Sequence, residues 1–215
     1  MKASILISDL NHPIMPLLDT WIAKESENGH EIGTFTDKKD LSSGDILFLI
    51  SCGQILNLVD RQKFKKTLVL HASDLPDGRG WSPHIWAILS GVRKIVVSLL
   101  EAEQQVDTGA IWRKKVFYLD GTELYDEINE KLFKTELSLM TYALLNFHSV
   151  NPIPQPAHNK PHYPRRKPGN SELDIHKTLA EQFDLLRVAD PDRYPAFFEY
   201  KNRKYICRLE AFDDE

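Results

Sequence analysis

The stretch KTLVLHASDLPDGRGWSPHIW, residues 66–86, decides how the rest of the chain is read. Its first five residues form an apolar, β-branched run of the kind that makes a buried strand. His71 closes that run and opens a loop punctuated by Pro76, Gly78 and Gly80, with Arg79 between the glycines. In an open α/β sheet, ligands sit in the crevice beyond the carboxyl ends of the strands, so a strand-end histidine is placed to face one. It can equally be a histidine satisfied at a strand end. The flexible basic loop beside it suits an anionic ligand, with Arg79 as the candidate.

Working outward, similar strand-like runs occur at Ala3–Ser8, Asp45–Ser51, Thr67–Ser73, Lys94–Ala102 and Ala110–Leu119. Helical spacing appears in PIMPLLDTWIAKES and most clearly over Thr122–Phe147, where Leu124, Ile128, Leu132 and Leu139 recur on one face and Thr122 is the expected cap. Alternating β and α segments predict an α/β protein, a Rossmann-like and mostly parallel sheet flanked by helices. Residues 1–150 are expected to form this catalytic domain. A Pro- and Asn-rich connector, Asn151–Asn170, leads into a 151–215 extension. That extension is expected to hold one helix over Glu172–Ala189 and a β-hairpin turning at Lys201–Asn202–Arg203.

Composition narrows the class. The chain has 215 residues, 42% hydrophobic and 27% charged, which describes a globular protein. The formal net charge of −4 provides no global field for a nucleic-acid backbone. Cys52 and Cys207 are far apart and form no metal-ligand pair, so two free thiols and no metal are expected. No apolar run reaches the roughly 20 residues needed to cross a bilayer, and Asp9 interrupts the N-terminal one, so the expected location is cytoplasmic with no membrane insertion. Neither nucleotide-binding glycine fingerprint, Rossmann nor Walker, is present.

Asp107, in QQVDTGAI, is the second candidate for chemistry. Asp-Thr-Gly alone makes a good turn. A carboxylate beside a histidine, however, orients the imidazole and tunes it as a proton carrier.

His71, Ser73, Leu75, Pro76 and Gly80 together match an H-x-S-x-L-P-x-x-x-G signature, and Val106–Gly109 matches V-D-x-G. In this pair of motifs the chain resembles the folate-dependent formyltransferases, most closely over residues 45–145. Ile85, Trp86, Ala87 and Leu89 resemble the helix after the signature. The resemblance implies transfer of a formyl group from 10-formyltetrahydrofolate to an amine. His71 and Asp107 would be catalytic, with Ser73 from the same signature. The pterin would lie along Gln54, Ile55, Leu56, Ala102 and Glu103. One position departs from the pattern. Val69 stands where the family carries an asparagine whose amide holds the formyl oxygen, so Ser51, Gln54 or a backbone N–H would have to replace it.

The tail speaks to the acceptor. YPRRKPGNSELD (Tyr163–Asp174) and LLRVADPDRYPAFFEY resemble segments of formyltransferases that act on nucleotide-linked amino sugars, with Asn170 in place of the usual Asp. Arg165, Arg166 and Arg187 are then candidates for a diphosphate, and Trp81 and His84 for the sugar pocket. The leading expectation is an N-formyltransferase of the pseudaminic acid type. Its acceptor would be UDP-4-amino-4,6-dideoxy-N-acetyl-altrosamine, and the resemblance allows a homodimer. A methionyl-tRNA formyltransferase-like enzyme is the first alternative, although such enzymes carry a longer C-terminal domain and basic surfaces. A glycinamide ribonucleotide formyltransferase is a weaker one, and a non-catalytic folate- or sugar-nucleotide-binding protein is the rival from another class.

Overall fold

A computed structural model describes residues 1–157 and 162–212. Six strands form one sheet in the order β2-β1-β3-β4-β5-β6. They are β1 (Lys2–Ile7), β2 (Glu31–Phe35), β3 (Gly44–Ile50), β4 (Phe64–His71), β5 (Lys94–Glu101) and β6 (Ile111–Tyr118). Pairing is parallel from β2 to β4 and antiparallel on both sides of β5, so β5 alone runs against the others. The mostly parallel α/β architecture is the one the alternating pattern predicts.

Five helices accompany the strands: α1 (Met15–Glu27), α2 (Leu58–Gln62), α3 (Pro83–Leu89), α4 (Tyr125–Asn146) and α5 (Leu179–Arg187). Strands β1 and β3 are apolar almost throughout because both faces are covered. Ile5, Phe48, Leu68, Val97 and Leu99 pack with Leu18, Ile88, Leu132 and Leu139 on one side. Leu6, Leu47, Leu56 and Phe64 form the smaller core on the other.

Local detail corrects two expectations and adds one strand. Thr122 does not cap α4; its hydroxyl donates to Asp120 at 2.6 Å, and the helix starts after Leu124, whose N–H donates to Glu127 at 2.8 Å. The predicted helix over Glu172–Ala189 is shorter. Leu173 N–H donates to Phe197 O at 2.7 Å, which ties the first residues to the hairpin, and Thr178 caps α5 through Glu181 N–H. The edge strand β2 went unpredicted, since EIGTF carries Gly33 and no apolar run.

The hairpin itself, β7 (Ala196–Tyr200) and β8 (Arg203–Cys207), turns at Lys201–Asn202. Both residues have positive φ, 50° and 63°, as a two-residue turn matched to strand twist requires. Residues 158–161 of the predicted connector lie outside the described residues. The flanking parts pair with the sheet and the catalytic loop: Ile153 bridges Ile111, and Tyr163 bridges Gly80. Among the described residues no helix is long and apolar enough to cross a membrane.

Candidate active site

Strand β4 delivers His71 to the edge of a cavity of about 720 Å³, a size typical of small-molecule sites. His71 is 6% exposed. Its Nε2 lies 2.9 Å from the carbonyl oxygen of Gly78, which can only accept, so Nε2 carries a proton. Its Nδ1 lies 3.5 Å from Asp107 Oδ1. Asp107 in turn accepts a hydrogen bond from Gly80 N–H at 3.0 Å through its other oxygen. The carboxylate therefore holds the glycine loop and faces the histidine's Nδ1, where a proton would make the two an ion pair. Asp107 has a φ of 60°, an uncommon value for a non-glycine residue and one that aims its side chain back across the loop.

Two glycines explain the spacing of the motifs. Gly80 has a φ of 105°, and a Cβ there would overlap the backbone of Tyr163. That close approach allows Tyr163 N–H to donate to Arg79 O at 2.8 Å and Trp81 N–H to donate to Tyr163 O at 3.0 Å. At Gly109 a Cβ would strike the backbone of Glu101. Both are places where only a hydrogen fits.

All five residues assigned to the pterin line the cavity. Gln54 does so with its backbone, because its amide is spent on Thr36 O at 2.6 Å and Lys38 N–H at 3.1 Å. Ala102 O and the Glu103 carboxylate both receive Arg61, a cavity residue the sequence reading passed over. The loop Ser51–Leu56 offers peptide groups over an apolar floor of Leu49, Ile50 and Leu56, which suits a flat, amphipathic, hydrogen-bonding ring. Val69 lines the same cavity two residues before His71 and carries no donor. Gln54 is occupied, so of the two side chains considered as substitutes only Ser51, also on the cavity wall, has a hydroxyl without a partner among the described residues.

At the other end Trp81, His84, Arg165 and Arg166 line the cavity. Arg165 stacks on the Trp81 ring at 5.0 Å, and Arg166 donates to Asn170 O at 2.9 Å. Burial shifts the Arg166 guanidinium downward. Tyr163 stacks on Trp86 at 6.0 Å, fixing the YPRR segment against α3. Burial, and then the nearby His71, push His84 down to about 4; its buried Nδ1 has no partner.

Three expected residues are elsewhere. Arg187 is 1% exposed and locked to Asp184 at 2.6 Å and to Glu123 O at 3.1 Å, so it is a buried strut unavailable to a diphosphate. Arg79 is buried and donates to Gln155 at 3.0 Å, while Gln155 donates to the carbonyls of Asp107 and Gly109. It therefore braces the catalytic loops from behind. Ser73 is absent from the cavity lining; its backbone oxygen accepts from Ser98 at 2.7 Å, and its hydroxyl sits beneath Gly78.

His12, Tyr125, Asn129, Glu136 and Arg193, which no sequence motif points to, also stand on the cavity wall. Burial, and then Arg193, push His12 down to about 4. Asn129 and Glu136 were detectable in principle, as polar residues on the apolar stripe of α4.

The sequence profile of the formyl transferase family matches residues 23–144, more than half of the chain and the segment carrying His71 and Asp107. The chain belongs to the formyl transferase family. Methionyl-tRNA formyltransferase from Rickettsia rickettsii is 27% identical to this formyl transferase over 171 residues, covering 79% of the chain. The chain spans about half the length of such curated relatives, 55% in that case. Among solved structures, methionyl-tRNA formyltransferase from Clostridium thermocellum superposes with a TM-score of 0.82 at 24% identity, covering 99% of this chain and 94% of that one. A sugar N-formyltransferase from Shewanella superposes with a TM-score of 0.73 at 17% identity, covering 100% and 99%. These likenesses establish the fold.

Proposed function

We propose that this formyl transferase moves the formyl group of 10-formyltetrahydrofolate to the amine of a nucleotide-linked amino-deoxy sugar. The acceptor we assign is of the UDP-4-amino-4,6-dideoxy-N-acetyl-altrosamine type. One observation carries the choice of acceptor: the YPRR segment is pinned to the catalytic loop by the Gly80–Tyr163 bridge and brings Arg165 and Arg166 to the cavity that holds His71. Two guanidiniums at the mouth fit a diphosphate.

In this reading the amine nitrogen attacks the formyl carbon, a tetrahedral oxyanion develops, and the bond from carbon to N10 of the folate breaks. The amine loses one proton and N10 gains one. The Nε2 proton of His71 is committed to Gly78 O, which leaves Nδ1 to take part in proton transfer. A proton arriving there faces Asp107 at 3.5 Å, and the resulting pair is an ion pair. Asp107 also holds the loop N–H of Gly80, so the pair is oriented before substrate arrives. The pterin would rest on Gln54–Leu56 and the Ala102–Glu103 loop.

A second reading has a specific observation behind it, since the curated relatives cited above act, by name, on methionyl-tRNA. The test is to incubate the protein with 10-formyltetrahydrofolate and a panel of amino-sugar nucleotides, then look by mass spectrometry for the gain of one formyl group. A sugar nucleotide that gains it supports the proposal. A panel left unmodified, with initiator methionyl-tRNA formylated in parallel, overturns it.

A further inference from the structure

The inward face of α4 is apolar except at two positions. Ile128, Leu132, Leu139, Met140 and Ala143 are buried in the main core. Asn129 and Glu136 interrupt this pattern seven residues apart, two turns of helix, with Leu132 and Phe133 between them. They are 8% and 9% exposed, and neither makes a hydrogen bond or ion pair among the described residues. What exposure they retain faces the cavity, which both of them line.

The other buried acids among the described residues have partners. Glu25 accepts from Asn28 and Thr141, and Glu123 accepts from Lys131 and two backbone N–H groups. Glu136 has nothing comparable. A buried carboxyl without a partner weakens a fold, and a leucine there would simply continue the stripe. The side chain is therefore placed at a stability cost, and its open side is the ligand cavity. His84, on α3, repeats the pattern with its unpartnered Nδ1.

We propose that Asn129 and Glu136 of α4, with His84 of α3, form the acceptor-recognition wall, built for hydroxyl or acetamido groups of a sugar. This rests on the sugar-nucleotide reading and names the residues that make the choice. The chemistry of the three groups is uniform. Burial pushes the Glu136 carboxyl up to about 8, so near pH 7 it is an uncharged acid that can donate and accept. His84 is neutral there, and an amide always is. Three neutral groups that both donate and accept match hydroxyls and amides. The cations Arg165, Arg166 and Lys167 line the same cavity. One cavity thus offers neutral and cationic partners, as a neutral sugar attached to an anionic diphosphate requires. A methionine side chain would leave the wall unpaired, and a site built to hydrogen-bond rejects ligands that cannot reciprocate.

The test uses the full chain and a UDP-linked 4-amino-4,6-dideoxyhexose bearing an acetamido group, with wild type, Glu136→Leu, Glu136→Gln and Asn129→Leu. Glu136→Leu and Asn129→Leu should each raise the acceptor KM by roughly 5- to 100-fold, the range set by leaving a buried polar group unpaired. The affinity for tetrahydrofolate should stay within about twofold, showing that the cavity remains folded. Glu136→Gln, still a neutral donor and acceptor, should bring KM back to within about threefold of wild type. If wild type turns over this sugar nucleotide and both leucine variants keep its KM, the wall is misassigned while the function stands. If wild type formylates no sugar nucleotide, the functional reading falls and takes this inference with it.

Discussion

Replacing Glu136 by Gln should stabilise the protein, and the gain should depend on pH in a direction the structure fixes. The group has an ordinary value of 4.5 and is pushed up to about 8 in the fold by burial alone. Its surroundings offer no rescue: His12 and His84 on the same cavity are held to about 4, and none of the cavity arginines forms an ion pair with it. Below pH 4.5 the carboxyl is protonated in both states and contributes no pH dependence. Between pH 4.5 and 8 the unfolded chain has released the proton and the folded chain has kept it. The folded state then binds more protons, so stability falls as pH rises through this window and is level above it. At 1.36 kcal/mol per unit, the raised value amounts to about 5 kcal/mol above pH 8. That is an upper figure, because the carboxyl faces a cavity that water can enter; with the higher effective dielectric of such sites about 2 kcal/mol is left. Glutamine keeps the shape and removes the titration. Urea unfolding of both proteins at pH 5, 7 and 9 measures the effect as a difference, so every other titrating group cancels. The variant should gain little at pH 5 and about 2–5 kcal/mol at pH 9. Parallel stability curves across that range would refute the reasoning, because they would mean that Glu136 ionises in the fold as easily as in water.

Three further outcomes follow from the site. His71→Ala and Asp107→Ala should each reduce kcat by about 10²- to 10⁴-fold, and the double variant should be little worse than the worse single, since the two act as one unit; multiplicative losses in steady-state kinetics would contradict this. Arg166→Ala should raise the sugar-nucleotide KM with kcat nearly unchanged. Arg187→Ala should instead lower stability by about 1–3 kcal/mol, because it leaves the carbonyl of Glu123 without its donor and takes from Asp184 one of two arginines, Arg93 remaining; chemical denaturation separates the two cases. Gly80→Ala should break the Gly80–Tyr163 bridge, costing about 1–3 kcal/mol from its φ of 105° alone and weakening acceptor binding more than folate binding. Equal losses for both substrates, read by calorimetric titration, would count against the link between the YPRR segment and the acceptor.

Much of the fold was legible because its signals are local. The runs at β1 and β3 are apolar on both faces, β4 contributes the apolar stretch Leu68–Leu70, and Lys201–Asn202 is a turn sequence in which Asn202 suits a positive φ by residue type. Strand β2 was invisible for the same reason, since a short edge strand with a glycine has no local signal apart from its partner. The site was harder to read because charge type is written in sequence and burial is not. Arg165, Arg166, Arg187 and Arg79 look alike as letters. Only the three-dimensional arrangement turns the first two toward the cavity and walls off the others behind Asp184 and Gln155. Asn129 and Glu136 were hidden within a helical repeat whose apolar members dominate the pattern. Asp107 is 36 residues from His71 in sequence, and its approach to 3.5 Å depends on a loop conformation that no spacing rule encodes.

The central claim is the identity of the acceptor, and a competition assay tests it most directly. The protein would be given limiting 10-formyltetrahydrofolate, with the UDP-linked acetamido-4-amino-4,6-dideoxyhexose and methionine-charged initiator tRNA present together, each at a concentration below its KM. The ratio of formylated products then reads the ratio of kcat/KM directly. The proposed neutral, hydrogen-bonding wall, with Arg165 and Arg166 on the same cavity, predicts formyl on the sugar nucleotide in excess of about 10⁴-fold, the discrimination expected when a wrong substrate leaves buried polar groups unpaired. Equal labelling of the two, or formyl found on the tRNA alone, would contradict the account.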